Sequence, residues 1–481
     1  MKQSAIRQPA APARHAKALT APLAGWVANL RHRDLPDSTR RAIRSALLDT
    51  LGVGLYGLDR PWTRAVRAWT LKGAHPPSAA GALASVWGEP EPSLRPCDAA
   101  LVNGVSSHAF ELDDFHNAKL HPGAVVVPAA VALGEALDAS GERLETALAA
   151  GYEVMIRTGL ALNPAAARLR GWHLTGVCGP LGAAAAGAVL LGLDAATTAW
   201  ALGLAGTQGS GLFAFNADGA MSKRLHPGRA AHAGILAAEL AALGLTGPTQ
   251  IYEAEDGGLL RAFSDSPRPE ALLEGLGAHY CLDATSFKPY ACCGSLHTHV
   301  DAALQVRAAL GGPPGRAQRV RAGVGRVVEV QCGYAYEPGT ELNAQMSARY
   351  CLAVALLEGA VLADAFAPEK LADPAIVELA RRIELVHDPK LDGIYPEHFV
   401  GWVEVEKGAG EGFERAYVLD PSGSPANPNR EAALEAKFRT LMRGMRRDEA
   451  IGPVEAAVAS LERTSVRDLT ARLAALSGPA G

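Results

Sequence analysis

The chain has 481 residues, enough for two or three domains and a large buried core, so it needs neither a disulfide scaffold nor a structural metal to fold. Lys plus Arg number 46 against 50 Asp plus Glu, a formal net charge of −4 that leaves no surplus to neutralise a phosphate backbone and argues against a nucleic-acid partner. Hydrophobic residues make up 48% and charged residues 20%, with 51 glycines and only 6% aromatics, a globular composition built from small side chains that excludes disorder over most of the length.

Residues 1–22 are rich in Ala and basic residues, hold no acid and lack the apolar run of a secretory signal, so they read as a flexible tail, with a mitochondrial presequence as the second reading. A cytoplasmic setting follows, because Cys97, Cys178, Cys281, Cys292, Cys293, Cys332 and Cys351 are scattered, odd in number and without metal-ligand spacing. From Asp37 to Gly275 the apolar residues recur at helical spacing with start and stop signals. Helices are predicted over 45–56, over 129–139 after Pro128, over 141–162 opened by Ser140, over 195–206 opened by Asp194, and over 229–243 closed by Gly244. The uncharged stretches 171–193 and 195–217 are long enough to cross a bilayer, but their Ala, Gly and interspersed polar residues read as buried helix with connecting loop.

The pattern then changes. Residues 324–334, 383–388, 401–407 and 413–420 read as strands with helix over 344–362 between them, 421–429 is a turn-rich exit, and the chain returns to helix. The expected fold is therefore mainly α: a large helical domain of residues 23–275 and 432–481, with a smaller α+β lid domain, 276–431, inserted in it.

Chemistry concentrates in four places. His108, His116 and His121 fall within 14 residues, where uniform scatter would place about 0.4, and Glu111, Asp113 and Asp114 lie among them. Such a mixture suits proton transfer; a helix end beside a surface loop and a metal site are the competing readings, although HxxxH and two-His-one-carboxylate spacings are missing. His173 precedes an Ala-rich helix, near amides that favour anions. Lys223 and Arg224 stand directly ahead of a predicted helix, in what reads as a basic loop able to hold carboxylates. Lys288, Cys292, Cys293 and His297 make up the fourth cluster, at the junction of the two domains. The GxGxxG match Gly52–Gly57 continues a helical pattern instead of following a strand, so it reads as close helix packing, and no GxSxG, GxxxxGK[ST] or HExxH motif occurs. Cofactor-free acid/base chemistry on an anionic substrate remains.

The wording of these clusters resembles the MmgE/PrpD family of 2-methylcitrate dehydratases, cis-aconitate decarboxylases and iminodisuccinate epimerases. The resemblance rests on ALLDTLGVGLYG (46–57), HAFELDDFHNAKLHPGAVVVPAA, WHLTGVCGPLGAAAAGA, MSKRLHPGRAAHAG, KPYACCGSLHTHVDAAL and LNAQMSARYCLAVALLEG, spanning almost the whole chain. It implies a homodimer with an active site at the domain junction and neither metal nor cofactor. The family's aspartate-rich turn matches Glu111, Asp113 and Asp114, its HP histidine His121, its helix-start histidine His173, its substrate lysine Lys223 and a further histidine His297. On this reading His121, His173, Lys223, Asp113 and Asp114 carry catalysis, while Glu111, His116, Arg224, Lys288 and His297 bind a small di- or tricarboxylic acid. The pattern departs at Glu111, where an aspartate is usual, at Phe115 in place of threonine, at Gly123 in place of serine, and at Gly294 in place of arginine. Dehydration stands first as the commonest family assignment, with epimerisation and decarboxylation as alternatives; a non-catalytic carboxylate binder and a metallohydrolase are the readings outside this class.

Overall fold

A computed structural model describes residues 18–72, 83–408, 411–443 and 448–476. Of the expected N-terminal tail, 1–17 lie outside the described residues, while 20–22 already belong to the helix Thr20–Asn29. The fold is mainly α, with one four-stranded sheet.

Local chemistry sets several helix starts where the sequence places them. Ser140 Oγ accepts the Arg143 backbone N–H at 3.3 Å and opens Gly141–Ala161; Asp194 Oδ1 accepts that of Thr197 at 2.8 Å and opens Ala195–Gly206. Two other starts come earlier than predicted. Gly123–Ala136 and Ser222–Ala242 each run through a proline, Pro128 and Pro227, that reads in sequence as a boundary. Both helices are packed inside the first core, and that burial outweighs the roughly 3 kcal/mol of an interior proline. The helix Leu174–Leu191 is apolar and long enough to cross a membrane, yet 89% of it is buried, between Gly141–Ala161 and Ser222–Ala242.

Small residues let these axes approach. At Gly52, Gly54 and Gly57 a β-carbon would sit 2.6 Å from the Phe438 ring, 2.5 Å from Trp87 and 2.0 Å from the Ser106 carbonyl oxygen, so that GxGxxG motif is a packing surface. Phe438 belongs to Arg430–Met442, which with Ile451–Ala459 and Val466–Leu476 completes the first core.

The second core surrounds the sheet. Strands β1 (Val320–Val324), β2 (Glu384–His387), β3 (Gly401–Glu406) and β4 (Phe413–Val418) are ordered β2-β1-β3-β4, with β1 parallel to β2 and antiparallel to β3. The helix His297–Ala309 packs across β3 and β4. The strand expected over 324–334 is instead the end of β1 followed by the helix Arg326–Cys332. Its buried residues, Val327, Val328, Gln331 and Cys332, recur at helical spacing, and Val330, inward in an alternating strand with Val328, is 44% exposed.

Candidate active site

The segment between Pro96–Ser107 and Gly123–Ala136 carries the dense histidine and carboxylate cluster into the space between the two cores. Phe115 exchanges two backbone hydrogen bonds with Ser286, at 2.9 and 2.8 Å, which ties the segment to the approach of the second core. Glu111 and Lys119 adopt φ of +54° and +63°, a region that side chains other than glycine avoid at a cost of about 1–2 kcal/mol.

Glu111 collects three cations. One carboxylate oxygen accepts from both Lys223 and Arg224, and the other lies 3.2 Å from Lys288 Nζ. Arg224 also donates to the His108 carbonyl oxygen and to Gln345 Oε1, both at 2.9 Å, and Lys288 reaches Asp113 Oδ1 at 3.4 Å. Burial opposes ionisation of Glu111, but the charges of Lys223, Lys288 and Arg224 outweigh it and hold the carboxyl well below its ordinary range. Burial, together with the neighbouring Arg224 and Lys288, outweighs Glu111 at Lys223 and makes that amine easier to deprotonate. Three cations against Glu111 and Asp113 leave one positive charge in excess, which favours an anionic ligand. Lys223 and Arg224 are thus not a basic loop: they occupy the first turn of Ser222–Ala242, fully buried.

Asp113 joins two imidazoles. Its Oδ2 lies 2.6 Å from His108 Nδ1 and 3.3 Å from His121 Nδ1, and His121 Nδ1 also meets the Asp114 carbonyl oxygen at 2.8 Å. Each Nδ1 faces only acceptors and so carries the hydrogen, leaving Nε2 of His121 for other work. Burial lowers the His108 pKa to about 3, so its ring is neutral. Ligand atoms of His108, Asp113 and His121 lie within 4.8 Å of one another, a spacing that a cation could also use.

Asp114 makes a separate set of contacts. Oδ1 accepts the Gly123 backbone N–H at 2.9 Å and Oδ2 the Tyr152 hydroxyl at 2.8 Å, a fully buried arrangement that anchors the helix start. Burial, with Asp49 and Asp113 nearby, raises its pKa to about 7. A carboxyl raised from about 3.9 in the unfolded chain contributes stability that is whole below pH ~4 and is lost as pH rises through 7. Asp114→Asn is therefore expected to gain on the natural protein between pH 5 and 8, by up to about 1.4 kcal/mol per pH unit in urea unfolding; an unchanged difference would refute the protonated carboxyl.

His173 sits at the start of Leu174–Leu191, its Nδ1 2.8 Å from His226 Nδ1 and its ring against Phe213 and Phe215. Burial lowers both imidazoles, His226 to about 4, and a neutral pair is what lets one ring donate to the other. The histidine tetrad is compact, with ring centres of His108 and His121 4.8 Å apart, and those of His121 and His173 6.5 Å apart.

A narrow cleft of about 30 Å³ opens beside them between the cores. Of the sequence-selected residues, His116, His121, His173 and Lys223 line it; Glu111, Asp113, Asp114, Arg224, Lys288 and His297 do not. Glu111, Arg224 and Lys288 support Lys223 from behind. His297 is buried against Phe115 and Tyr290 with Nε2 3.3 Å from the Cys292 carbonyl oxygen, and His116 Nδ1 accepts the Ala118 N–H.

Models of the MmgE/PrpD N-terminal and C-terminal domains match residues 21–272 and 290–460. The chain belongs to the MmgE/PrpD family. It is 31% identical over 96% of its length to a cis-aconitate decarboxylase-like protein, oryM, of Aspergillus oryzae, with 97% of that protein covered. A cis-aconitate decarboxylase of Aspergillus terreus is 31% identical over 96% of both chains, and that of Mus musculus 32% identical over 78% of this chain and 76% of its own.

Two departures from the family wording meet in space. A β-carbon on Gly294 would lie 2.9 Å from the Phe115 ring, so the aromatic side chain occupies the room that a larger residue at 294 would need. Both line the cleft and leave this part of its wall apolar. Four polar residues of the site were not selected from sequence. His108 and His226 stand within motifs already noted, and only their pairings, with Asp113 and His173, distinguish them. Lys119 and Arg168 also line the cleft, and Arg168 lies in no motif at all.

Proposed function

We propose that this protein is a cofactor-independent lyase that decarboxylates cis-aconitate or a small acid of the same pattern. The observation that carries the reading is the convergence of His121, His173 and Lys223 on one cleft above a buried cluster with one positive charge in excess. The names of its relatives over nearly the full chain support decarboxylation ahead of the dehydration that the family resemblance alone puts first.

In such an acid the leaving carboxylate sits on a carbon next to a C=C bond. As the C–C bond to that carboxylate breaks, its electron pair forms the new C=C bond, the old π pair takes a proton at the far carbon, and carbon dioxide departs. One proton is consumed, and His121 supplies it from Nε2. Lys223 holds a carboxylate that stays, because pairing a cation with the leaving one would stabilise the ground state. Dehydration or epimerisation would use the same histidines with a different leaving group.

Proton NMR in D2O tests this. With cis-aconitate, vinyl signals of itaconate with one deuterium on its methylene carbon are expected. Collapse of the 2-methylcitrate methyl doublet to a singlet on an alkene carbon, with cis-aconitate unchanged, would replace it by dehydration, and deuterium entering intact iminodisuccinate by epimerisation. Activity lost on chelation, with metal bound stoichiometrically, would assign His108, Asp113 and His121 to a cation.

A further inference from the structure

Two cations on the cleft wall have no carboxylate to pair with among the described residues. Arg168, at the end of the short helix Pro164–Leu169, is 6% exposed, and its guanidinium carbon lies 3.5 Å from the Phe213 ring centre. Among the described residues no acceptor is hydrogen-bonded to any of its five N–H groups, and its Nε is buried without a partner. Lys119 Nζ donates to Ser295 Oγ at 2.6 Å and Gln331 Oε1 at 2.9 Å, both neutral, and lies 4.5 Å from the Phe399 ring centre. An ammonium has three donors, so one remains. Neither cation forms an ion pair with an acid among the described residues, in contrast to Lys223, Arg224 and Lys288.

Desolvated cations are retained at a cost unless a counter-charge arrives. Burial lowers Lys119 to about 8 and Arg168 to about 10, and each carries that penalty. Phe213 connects them to the chemistry: the ring that Arg168 stacks on packs against His173 at 5.7 Å between centres. Stacking occupies the guanidinium face and leaves its edge, the part that forks onto a carboxylate, available.

We infer that Lys119 and Arg168 form a carboxylate-binding subsite for a substrate carboxylate remote from the one held near Lys223, so that the enzyme requires an acid with at least two carboxylates that survive the reaction. This rests on the acid/base reading of the cleft above. It also separates roles: Lys223 faces the reacting end, and Lys119 with Arg168 sets length and charge count.

Calorimetric titration with acids that cannot react tests it: propane-1,2,3-tricarboxylate, succinate and propionate, with inorganic phosphate as a further arm. The natural protein is expected to bind the tricarboxylate tightest and propionate weakest. Arg168→Gln and Lys119→Met should each weaken the tricarboxylate ~10- to 100-fold and propionate less than ~3-fold. Arg168→Lys should recover part of the loss. Without ligand, Arg168→Gln should melt at or above the natural protein, because it removes an unpaired buried charge, so the test does not founder on folding. Tricarboxylate binding within ~2-fold of normal in both variants overturns the subsite, and phosphate binding tighter than every carboxylate overturns its assignment to carboxylates. If cis-aconitate is turned over and both variants keep their KM, the subsite fails and the functional reading stands. If the tricarboxylate needs both cations but no acid is turned over, the subsite stands and the functional reading fails. A natural protein that binds none of these acids overturns both.

Discussion

Glu111→Gln is expected to destabilise the fold by about 3–5 kcal/mol in urea unfolding, the range for removing one partner of a buried ionic cluster. The carboxylate is 1% exposed and is shared by Lys223, Arg224 and Lys288, so its loss leaves three buried cations facing Asp113 alone. It also holds a left-handed backbone at φ +54° that nothing else compensates once those contacts go. The most easily deprotonated of the three is Lys223, which escapes by losing its proton. A lysine whose folded pKa is lowered binds fewer protons than in the unfolded chain, so the variant should regain stability relative to the natural protein as pH rises from 7 toward 10. Adding Lys223→Met should restore much of the loss, a coupling that only contacting residues show. A loss under 1 kcal/mol would mean that the cations are neutralised by something other than Glu111.

That cluster also marks where sequence reading reaches its limit. Ser140 and Asp194 announce helices because a cap is a contact between residues three apart, and such chemistry is visible in a string. The pairing of Glu111 with Lys223 joins residues 112 apart, and with Lys288 residues 177 apart, which spacing cannot disclose. Lys223 was legible as a cation beside a helix but not as a buried one, because Pro227 concealed the helix start and with it the inward orientation of the first turn. The valines of 324–330 fit a strand or a helix equally well in isolation; only the sheet, which ends β1 at Val324, decides. His121 was found because three histidines in 14 residues are dense enough to mean something, and His173 because it stands ahead of an Ala-rich helix and matches a histidine of the family motif. Arg168 was not, because a single arginine in an alanine-rich stretch carries no signal until the fold sets it on Phe213, 45 residues on, with no acid paired to it among the described residues.

His121→Ala is expected to lower kcat by about 10²- to 10⁴-fold, the usual worth of a positioned proton-transfer group, while KM moves by less than about 3-fold. The split follows from geometry. Anionic binding is assigned to Lys223 and the Lys119–Arg168 pair, so removing an imidazole from the same cleft weakens the transition state more than the bound ground state. His173→Ala should lose a similar amount, because its ring shares the cleft and is held by His226 at 2.8 Å. The double variant should lose much less than the product of the two single losses, since groups that act as one proton-transfer unit are not additive. Asp113→Asn provides the control for positioning. The amide retains the shape between His108 and His121 but not the carboxylate that both Nδ1 atoms face, so kcat should fall while KM holds. A His121→Ala enzyme that keeps more than a tenth of kcat would remove that ring from the chemistry.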